Sequence, residues 1–145
     1  MKVIMHTVTM KAPRRRVYDA LATRAGLRGW WTTTVTGESV VGGTLAFRFA
    51  DVFKPEMRVV ALEPDRSVRW TCIGGEPNWL DNVFVFDLTE DNGSTTLMFR
   101  QEYARELDDR TYGEFNYNWG YYLTSLKSLC ETGRGAPFDR APAIR

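Results

Sequence analysis

The sequence predicts an α+β domain in which a curved antiparallel sheet packs against one long C-terminal helix. Apolar and polar residues alternate through most of the segment 34–103, which is typical of half-buried antiparallel strands. Short turn signals separate the alternating stretches. Beyond them, apolar residues recur at three- and four-residue spacing over 113–132, which indicates one amphipathic helix. A run of strands followed by a helix favours α+β over a parallel α/β fold.

The N-terminal segment predicts one strand and two short helices. Lys2 to Met10 alternates as a strand. Pro13 suits the first turn of a helix, where its missing N–H is not needed. Thr23 is a suitable N-cap for a second short helix that ends near Gly29. The inward face of the strand is predicted to hold Ile4, His6, Val8 and Met10.

About six further strands follow, joined by short turns. Turns are predicted at Gly42-Gly43, Pro64-Asp65 and Asp91-Asn92-Gly93. The alternation from Leu80 to Leu88 is regular, whereas Met57 to Leu62 is mixed and leaves its inward face undecided. The sequence also predicts loops at 74–79 and 104–112.

The long helix is predicted to begin near Gly113 and to end close to Thr132. Gly133 stands where a helix C-cap glycine belongs. The tail 133–145 is interrupted by Gly and Pro and is expected to be ordered at first and then frayed. We expect residues 1–145 to form a single domain, because roughly 100–200 residues per domain is usual.

Composition excludes several functional classes. Lys and Arg number 19 against 18 Asp and Glu, which gives no electrostatic case for nucleic acid as a partner. No apolar run approaches the roughly 18–20 residues of a membrane span. His6 is the only histidine and Cys72 and Cys130 are the only cysteines, so we expect no metal, no cofactor and no disulfide framework. The N-terminus does not resemble a signal peptide, and cytoplasmic location is the default expectation.

A candidate binding site emerges from the inward face of the predicted sheet, which is unusually aromatic. Aromatic side chains with a few polar groups among them often line concave ligand sites. Buried Asn82, Gln101 and Tyr103 would bond to each other, to trapped water or to a ligand. The alternative is ordinary core packing with these polar groups near strand ends. The predicted aromatic lining is Phe47, Phe49, Trp70, Phe84, Phe86, Phe99 and Tyr103 from the strands, with Phe115 and Trp119 from the helix.

Four sequence features carry a resemblance to a known family: Gly29-Trp30-Trp31, Gly42-Gly43, VALEPDRSVRW at 60–70 and SLKSLCETGRGAPF at 125–138. The chain resembles the activator of heat-shock-protein ATPase homologue family over about residues 8–138. That family belongs to the START-like (SRPBCC) helix-grip superfamily, which serves many functions on one fold.

The resemblance implies a helix-grip fold with a deep hydrophobic cavity that binds lipid-like or aromatic small molecules. Trp30 and Trp31 would stand near one end of the cavity, and Trp119 would contribute from the helix. Relatives often begin the second helix with an Asp-Pro-Glu-type sequence, which is replaced here by 23–26, Thr-Arg-Ala-Gly. The resemblance carries over no catalytic residue.

Three functions follow as hypotheses. Binding of a hydrophobic or aromatic small molecule is favoured by the aromatic inward face. A cyclase, dehydratase or hydrolase in the same cavity would need a positioned acid or base. Stimulation of a heat-shock ATPase, the third hypothesis, is the least favoured, and a homodimer is compatible with the sequence but indicated by no pattern. Trp79 is either a lid over the cavity or a dimer contact. The acid–base candidates are His6, Tyr103, Arg58, Glu102 and Asp81.

Overall fold

A computed structural model describes residues 1–139 of the chain. It contains seven strands, three α-helices and one 3₁₀ turn at Pro77–Trp79. The helices are α1 (Arg14–Ala22), α2 (Arg24–Trp30) and α3 (Asp109–Thr132). The strands are β1 (Val3–Met10), β2 (Thr34–Gly37), β3 (Thr44–Arg48), β4 (Glu56–Glu63), β5 (Ser67–Gly74), β6 (Val83–Asp91) and β7 (Ser94–Glu102).

The strands form one curved antiparallel sheet in the order β1-β7-β6-β5-β4-β3-β2. The first two strands in sequence are therefore the two edges of the sheet, and α1 and α2 carry the chain from one edge to the other. Helix α3 covers the inward face through its buried residues Trp119, Leu123, Leu126 and Cys130. This arrangement confirms the predicted α+β fold with a sheet that grips a C-terminal helix.

The two short helices lie where the sequence predicts them. Thr23 caps α2, because its hydroxyl accepts a hydrogen bond from the Gly26 N–H at 3.0 Å. A side chain at Gly26 could not be accommodated, since a Cβ there would stand 2.5 Å from the Ala20 Cα. The close approach of α1 and α2 therefore requires glycine at this position.

Helix α3 begins at Asp109, four residues before the predicted start at Gly113. Asp108 is its N-cap, and its carboxylate accepts a hydrogen bond from the Thr111 N–H at 3.1 Å. The prediction is wrong here because the first turn is polar and shows no apolar periodicity. The predicted C-cap is confirmed, since Gly133 adopts a left-handed conformation at φ 85°.

The mixed pattern of β4 has a structural cause. The register against β5 shifts between Val59 and Ala61, so that Val60 is an extra residue in a β-bulge. Met57 and Val59 face inward and are fully buried, whereas Val60 is 49% exposed. A single inserted residue thus interrupts the period-two alternation of β4. Counting alternate residues along this strand therefore could not assign its inward face.

Strand β6 starts at Val83, three residues later than the regular alternation from Leu80 suggests. The segment before it contains the 3₁₀ turn and then Asp81, whose φ of 68° is incompatible with a strand. The inward face predicted for residues 82–88 is correct, because the alternate residues Asn82, Phe84, Phe86 and Leu88 are buried.

The segment after α3 folds back onto the junction between α2 and β2. The Phe138 N–H donates to the Trp31 carbonyl at 2.9 Å, and the Phe138 carbonyl accepts from the Thr33 N–H at 3.0 Å. Residues 140–145, the end of the predicted frayed tail, lie outside the described residues. No helix within residues 1–139 combines the length and apolarity that a bilayer crossing requires.

Candidate ligand-binding site

The other four tryptophans of the chain gather around Trp31, the residue that follows α2. Its ring centroid lies 5.1 Å from that of Trp119 on α3 and 6.0 Å from that of Trp70 on β5. The rings of Trp30 and Trp79 lie at 5.8 and 6.4 Å. All four pairs are stacked, so that Trp31 joins the helical layer to the sheet at the centre of the molecule.

One side of this cluster is a closed core, which we define as Trp70, Phe84, Phe86, Phe99 and Trp119. The centroids of Trp70 and Phe86 are 4.9 Å apart, those of Phe86 and Phe99 are 5.0 Å apart, and those of Phe99 and Trp119 are 4.3 Å apart. Each of these rings is at most 2% exposed. The closed core is therefore packed ring against ring.

The other side of the cluster holds a cavity of about 380 Å³. It lies between the first half of α3, the loop that follows β3, the 3₁₀ turn and the segment after α3. We call this region the open end. Its lining residues are Trp31, Phe49, Ala50, Val52, Phe53, Trp79, Phe115, Asn118, Trp119, Tyr122 and Phe138.

Local turns position the rings of the open end. The Phe49 N–H donates to the Phe53 carbonyl at 2.8 Å, and Ala50 adopts a left-handed φ of 59° inside this turn. Phe53 then meets Trp79 edge to face, with ring centroids 4.8 Å apart. Trp79 stacks on Trp119 at 6.2 Å. The wall is thus assembled from a loop, a 3₁₀ turn and a helix.

The wall is almost entirely apolar. Among the described residues that line the cavity none is charged, and Asn118 supplies the one amide. Burial raises the pKa of Tyr122, and the neighbouring Tyr121 adds to this effect, so the Tyr122 hydroxyl stays neutral across the usual pH range. An occupant of such a cavity would be held by apolar and aromatic contact.

The structure brings together only part of the predicted site. Trp31, Phe49, Phe115 and Trp119 line the cavity. The other predicted residues lie behind its wall or in the closed core, and their role in binding stays a prediction. These are Trp30, Phe47, Trp70, Asn82, Phe84, Phe86, Phe99, Gln101 and Tyr103.

The sequence does not indicate several of the residues that line the cavity. Tyr122 follows Trp119 by three residues on the apolar stripe of α3, so helical spacing could have indicated it. Phe53 and Phe138 lie in irregular segments and have no periodic signal. Trp79, which the sequence left as a lid or an interface residue, is 2% exposed and forms part of the wall.

The predicted polar residues are buried directly behind this wall. The Gln101 Oε1 accepts from the Trp119 indole N–H at 2.7 Å, and the Asn82 Oδ1 accepts from the Ala104 N–H at 2.9 Å. The Tyr103 hydroxyl has no hydrogen-bond partner among the described residues. Burial raises the pKa of Tyr103, so its hydroxyl remains protonated.

The acid–base candidates do not line the cavity. His6 Nε2 lies 3.0 Å from Asn116 Oδ1 in a polar contact outside it. Arg58 is exposed, Glu102 is paired with Arg100 at 2.5 Å, and Asp81 is paired with Arg105 at 3.7 Å. Tyr103 is buried behind Phe115. The described wall therefore presents none of the five residues from which the enzyme hypothesis would draw its acid or base.

The cysteines are buried and unbonded to each other. Burial raises the pKa of Cys130 to about 11 and also raises that of Cys72, so both thiols stay protonated near neutral pH. Within residues 1–139 no group of three or more His, Cys, Asp and Glu side chains is arranged to hold a metal ion.

A curved antiparallel sheet that grips a C-terminal helix over an aromatic cavity defines a START-like helix-grip domain. The chain belongs to the family described as "Activator of Hsp90 ATPase homolog 1-like protein", whose profile matches residues 11–131. This confirms the family that the sequence resembles. A comparison with curated proteins returns no significant match.

Solved structures similar to this chain agree with the assignment. The Aha1 dimer from Colwellia psychrerythraea is 33% identical, with a TM-score of 0.84 over 93% of this chain and 100% of that one. A protein from Mesorhizobium loti is 22% identical, with a TM-score of 0.75 over 88% and 96% of the two chains. CalU16 from Micromonospora echinospora is 18% identical, with a TM-score of 0.77 over 97% and 72%. The last two show the fold alone.

Proposed function

We propose that this protein binds a hydrophobic or aromatic small molecule in the cavity of the open end. The observation that carries the proposal is the cavity of about 380 Å³ with an aromatic, uncharged wall. This volume falls within the roughly 300–1,000 Å³ of small-molecule sites. The absence of the candidate acids and bases from the described part of the wall favours binding over catalysis.

The first test is thermal unfolding with a panel of lipophilic and aromatic compounds. A ligand at about 100 times its Kd adds about 2.7 kcal/mol to the free energy of unfolding. For a chain of this length we expect a rise in Tm of about 5–10 °C. A broad panel that shifts Tm with no compound would contradict the proposal.

The second test fills the cavity with a side chain. Asn118 is exposed at the cavity edge on α3, so Asn118→Trp is expected to place an indole over the opening. A compound that binds the native protein should lose at least about tenfold in affinity. Thr124→Trp is the matched control, since Thr124 is an exposed residue of α3 outside the wall. Equal losses in both variants would argue against this cavity as the site.

A second candidate function rests on the identity of 33% to a protein named Aha1. We propose as the alternative that a surface of this chain stimulates the ATPase of an Hsp90 protein. The assay measures ATP hydrolysis by Hsp90 from the same source, with and without this protein. The Asn118→Trp variant separates the two functions, because a surface role would survive a blocked cavity.

That relative is described as a dimer, which motivates the proposal that this chain also forms a homodimer. Sedimentation velocity over a range of concentrations tests it. A single species of 16.6 kDa at every concentration would refute the dimer. The cavity proposal does not depend on this outcome.

A further inference from the structure

Four buried polar groups that have no well-aligned hydrogen-bond partner among residues 1–139 lie at the end of β6 and β7 nearest the open end. They are the indole N–H of Trp79, the Nδ2 of Asn82, the Nε2 of Gln101 and the hydroxyl of Tyr103. Each of the four residues is at most 2% exposed. Buried polar groups are nearly always hydrogen-bonded, because leaving them unpaired is costly. Four together point to a missing acceptor.

The backbone places these groups next to one another. Phe84 pairs with Gln101 and Val83 with Glu102, so the next inward-facing pair along the two strands is Asn82 and Tyr103. Gln101 and Tyr103 are two residues apart and share the inward face of β7. The N–H groups of Trp79 and Gln101 approach the Tyr103 hydroxyl oxygen as donors, and these contacts lower the pKa of Tyr103 against the larger effect of burial.

The free ends of both amides are hydrogen-bond donors. The Gln101 Oε1 is occupied by the Trp119 indole N–H, which can only donate, and this fixes the amide orientation. The Asn82 Oδ1 is fixed in the same way by the backbone N–H of Ala104. The indole of Trp79 also only donates. The Tyr103 hydroxyl oxygen is the one acceptor that these four groups offer, so donors outnumber acceptors in the cluster.

This donor cluster lies directly behind the cavity wall. Trp79 is a member of the donor cluster and also lines the cavity. Trp119 lines the cavity and bonds to Gln101, and Phe115 lines it and stacks on Tyr103 with centroids 6.4 Å apart. The rings of Trp79 and Phe115 form the partition, and their centroids are 5.4 Å apart. A ligand in the cavity would have to part these two rings to reach the donors.

We propose that the donor cluster of Trp79, Asn82, Gln101 and Tyr103 binds a neutral carbonyl oxygen of a ligand whose apolar body fills the cavity. A carbonyl oxygen accepts two hydrogen bonds and donates none, which matches an excess of donors. The inference rests on the proposed function and adds the chemical class of the ligand.

The charges around the cluster select a neutral acceptor over a carboxylate. The described cavity wall carries no cation, and Arg105 is directed to the Leu80 carbonyl and Asp81. Glu76 places a negative charge near Tyr103, where it adds to the rise in the pKa of the hydroxyl. A carboxylate at this place would be buried without a cation to balance its charge and would be repelled by Glu76, which is costly.

The experiment uses three naphthalene probes that differ in one substituent: 2-acetylnaphthalene, 2-ethylnaphthalene and 2-naphthoate. Calorimetric titration at pH 7 measures the three affinities. We expect the ketone to bind at least as tightly as the hydrocarbon, although water solvates the ketone better. We expect the carboxylate to bind at least about tenfold more weakly than the ketone. A carboxylate that binds more tightly than the ketone would overturn the preference for a neutral acceptor.

Removal of one donor supplies the decisive comparison. Tyr103→Phe should weaken the ketone about three- to tenfold relative to the hydrocarbon, as expected for one hydrogen bond. Tyr112→Phe is the matched control, because its hydroxyl donates to the Val3 carbonyl at 2.8 Å outside the cluster. A ratio of ketone affinity to hydrocarbon affinity that Tyr103→Phe leaves unchanged would overturn the proposal and would identify the cluster as a site for trapped water.

A spectroscopic measurement on the native protein is independent of the variants. The carbonyl stretching band of bound 2-acetylnaphthalene should lie at lower frequency than in cyclohexane, because hydrogen bonds weaken the C=O bond. A band at the cyclohexane position would overturn the carbonyl site while leaving cavity binding intact. Failure of the ketone, the hydrocarbon and every compound of the broad panel to bind would instead refute the proposed function, and the carbonyl site with it.

Discussion

The closed core and the open end both consist mainly of aromatic side chains, but these side chains pack differently in the two regions. In the closed core the rings interlock with centroid distances as short as 4.3 Å. In the open end they surround a space of about 380 Å³. Trp31 and Trp119 belong to the boundary between the two, since both pack against the core and line the cavity. Aromatic composition therefore does not distinguish a packed region from a pocket.

The difference lies in the backbone that carries the rings. Phe84, Phe86 and Phe99 stand on paired strands, where the pleat sets neighbouring side chains roughly 4.5–5.5 Å apart and fills the space between them. Phe53 and Phe138 stand on a loop and on the segment after α3, and turn geometry decides where they lie. We infer that the cavity remains unfilled because its rings stand on irregular segments, where no repeating register packs neighbouring side chains together.

The largest predicted effect comes from truncation of a ring in the closed core. Phe86→Ala removes a fully buried ring that packs on Trp70 and Phe99. Because the surrounding rings are held by paired strands, the space is expected to collapse only partially. The free energy of unfolding should fall by about 3–5 kcal/mol, which urea titration measures.

Phe53→Ala is the matched truncation in the open end. Phe53 is half-buried and already borders empty space, so its loss removes fewer contacts. We expect less than about half of the loss caused by Phe86→Ala, together with weaker binding of any cavity ligand. Equal losses of stability in the two variants would show that the open end is packed as well as the core.

A smaller effect is predicted for the serine that attaches the open end to α3. The Ser125 hydroxyl donates to the Trp30 carbonyl at 2.9 Å and accepts from the Ala136 N–H at 2.7 Å. Ser125→Ala leaves the buried Trp30 carbonyl and the Ala136 N–H without this partner, which costs about 1–3 kcal/mol. The segment that carries Phe138 should then detach more often, and trypsin should cleave after Arg134 faster.

Thr124→Ala is the control for this substitution. Its hydroxyl bonds within α3 to the Gly120 carbonyl at 2.9 Å on the exposed face. We expect little change in Tm and no faster cleavage. If Ser125→Ala lowered Tm without faster cleavage, the open end would not depend on this connection, and the contrast with the core would be weaker.

The sequence predicts the closed core better than the open end. Parity on β6 and β7 assigned Phe84, Phe86 and Phe99 to the inward face, because the pleat repeats every two residues regardless of what lies opposite. The same parity could not determine whether inward rings leave a space between them. That depends on the fit of side chains from distant segments, and local periodicity holds no information about it.

The residues missed in the open end show this limit directly. Phe138 reaches the cavity because the chain after Gly133 folds back to Trp31, a contact between positions more than a hundred residues apart. Phe53 reaches it through a turn that depends on a left-handed Ala50. Neither contact has a sequence signal, whereas the stripe of α3 already contained Trp119 and Tyr122 at helical spacing.

The smallest predicted effect tests whether charge contributes to the difference between the closed core and the open end. Two carboxylates hold opposite ends of α3. Asp108 caps the end near the cavity, and hydrogen bonds from Thr111 lower its pKa. Glu131 accepts from the Lys11 N–H at 2.8 Å at the other end, and this bond, followed by that from Lys127, lowers its pKa. Asp108 is exposed and the Glu131 side chain is partly exposed, so each should contribute little.

Because folding lowers both pKa values, their stabilisation is present above the unfolded values of about 4 and is lost as the pH falls through the folded ones. Asp108→Asn and Glu131→Gln keep an acceptor oxygen and remove the charge. Each variant should therefore melt slightly below the native protein at pH 7, and the difference should disappear in acid. Similar small differences at both ends would leave ring packing as the cause of the contrast. A difference in Tm that persists unchanged in acid would show that the charge is not responsible.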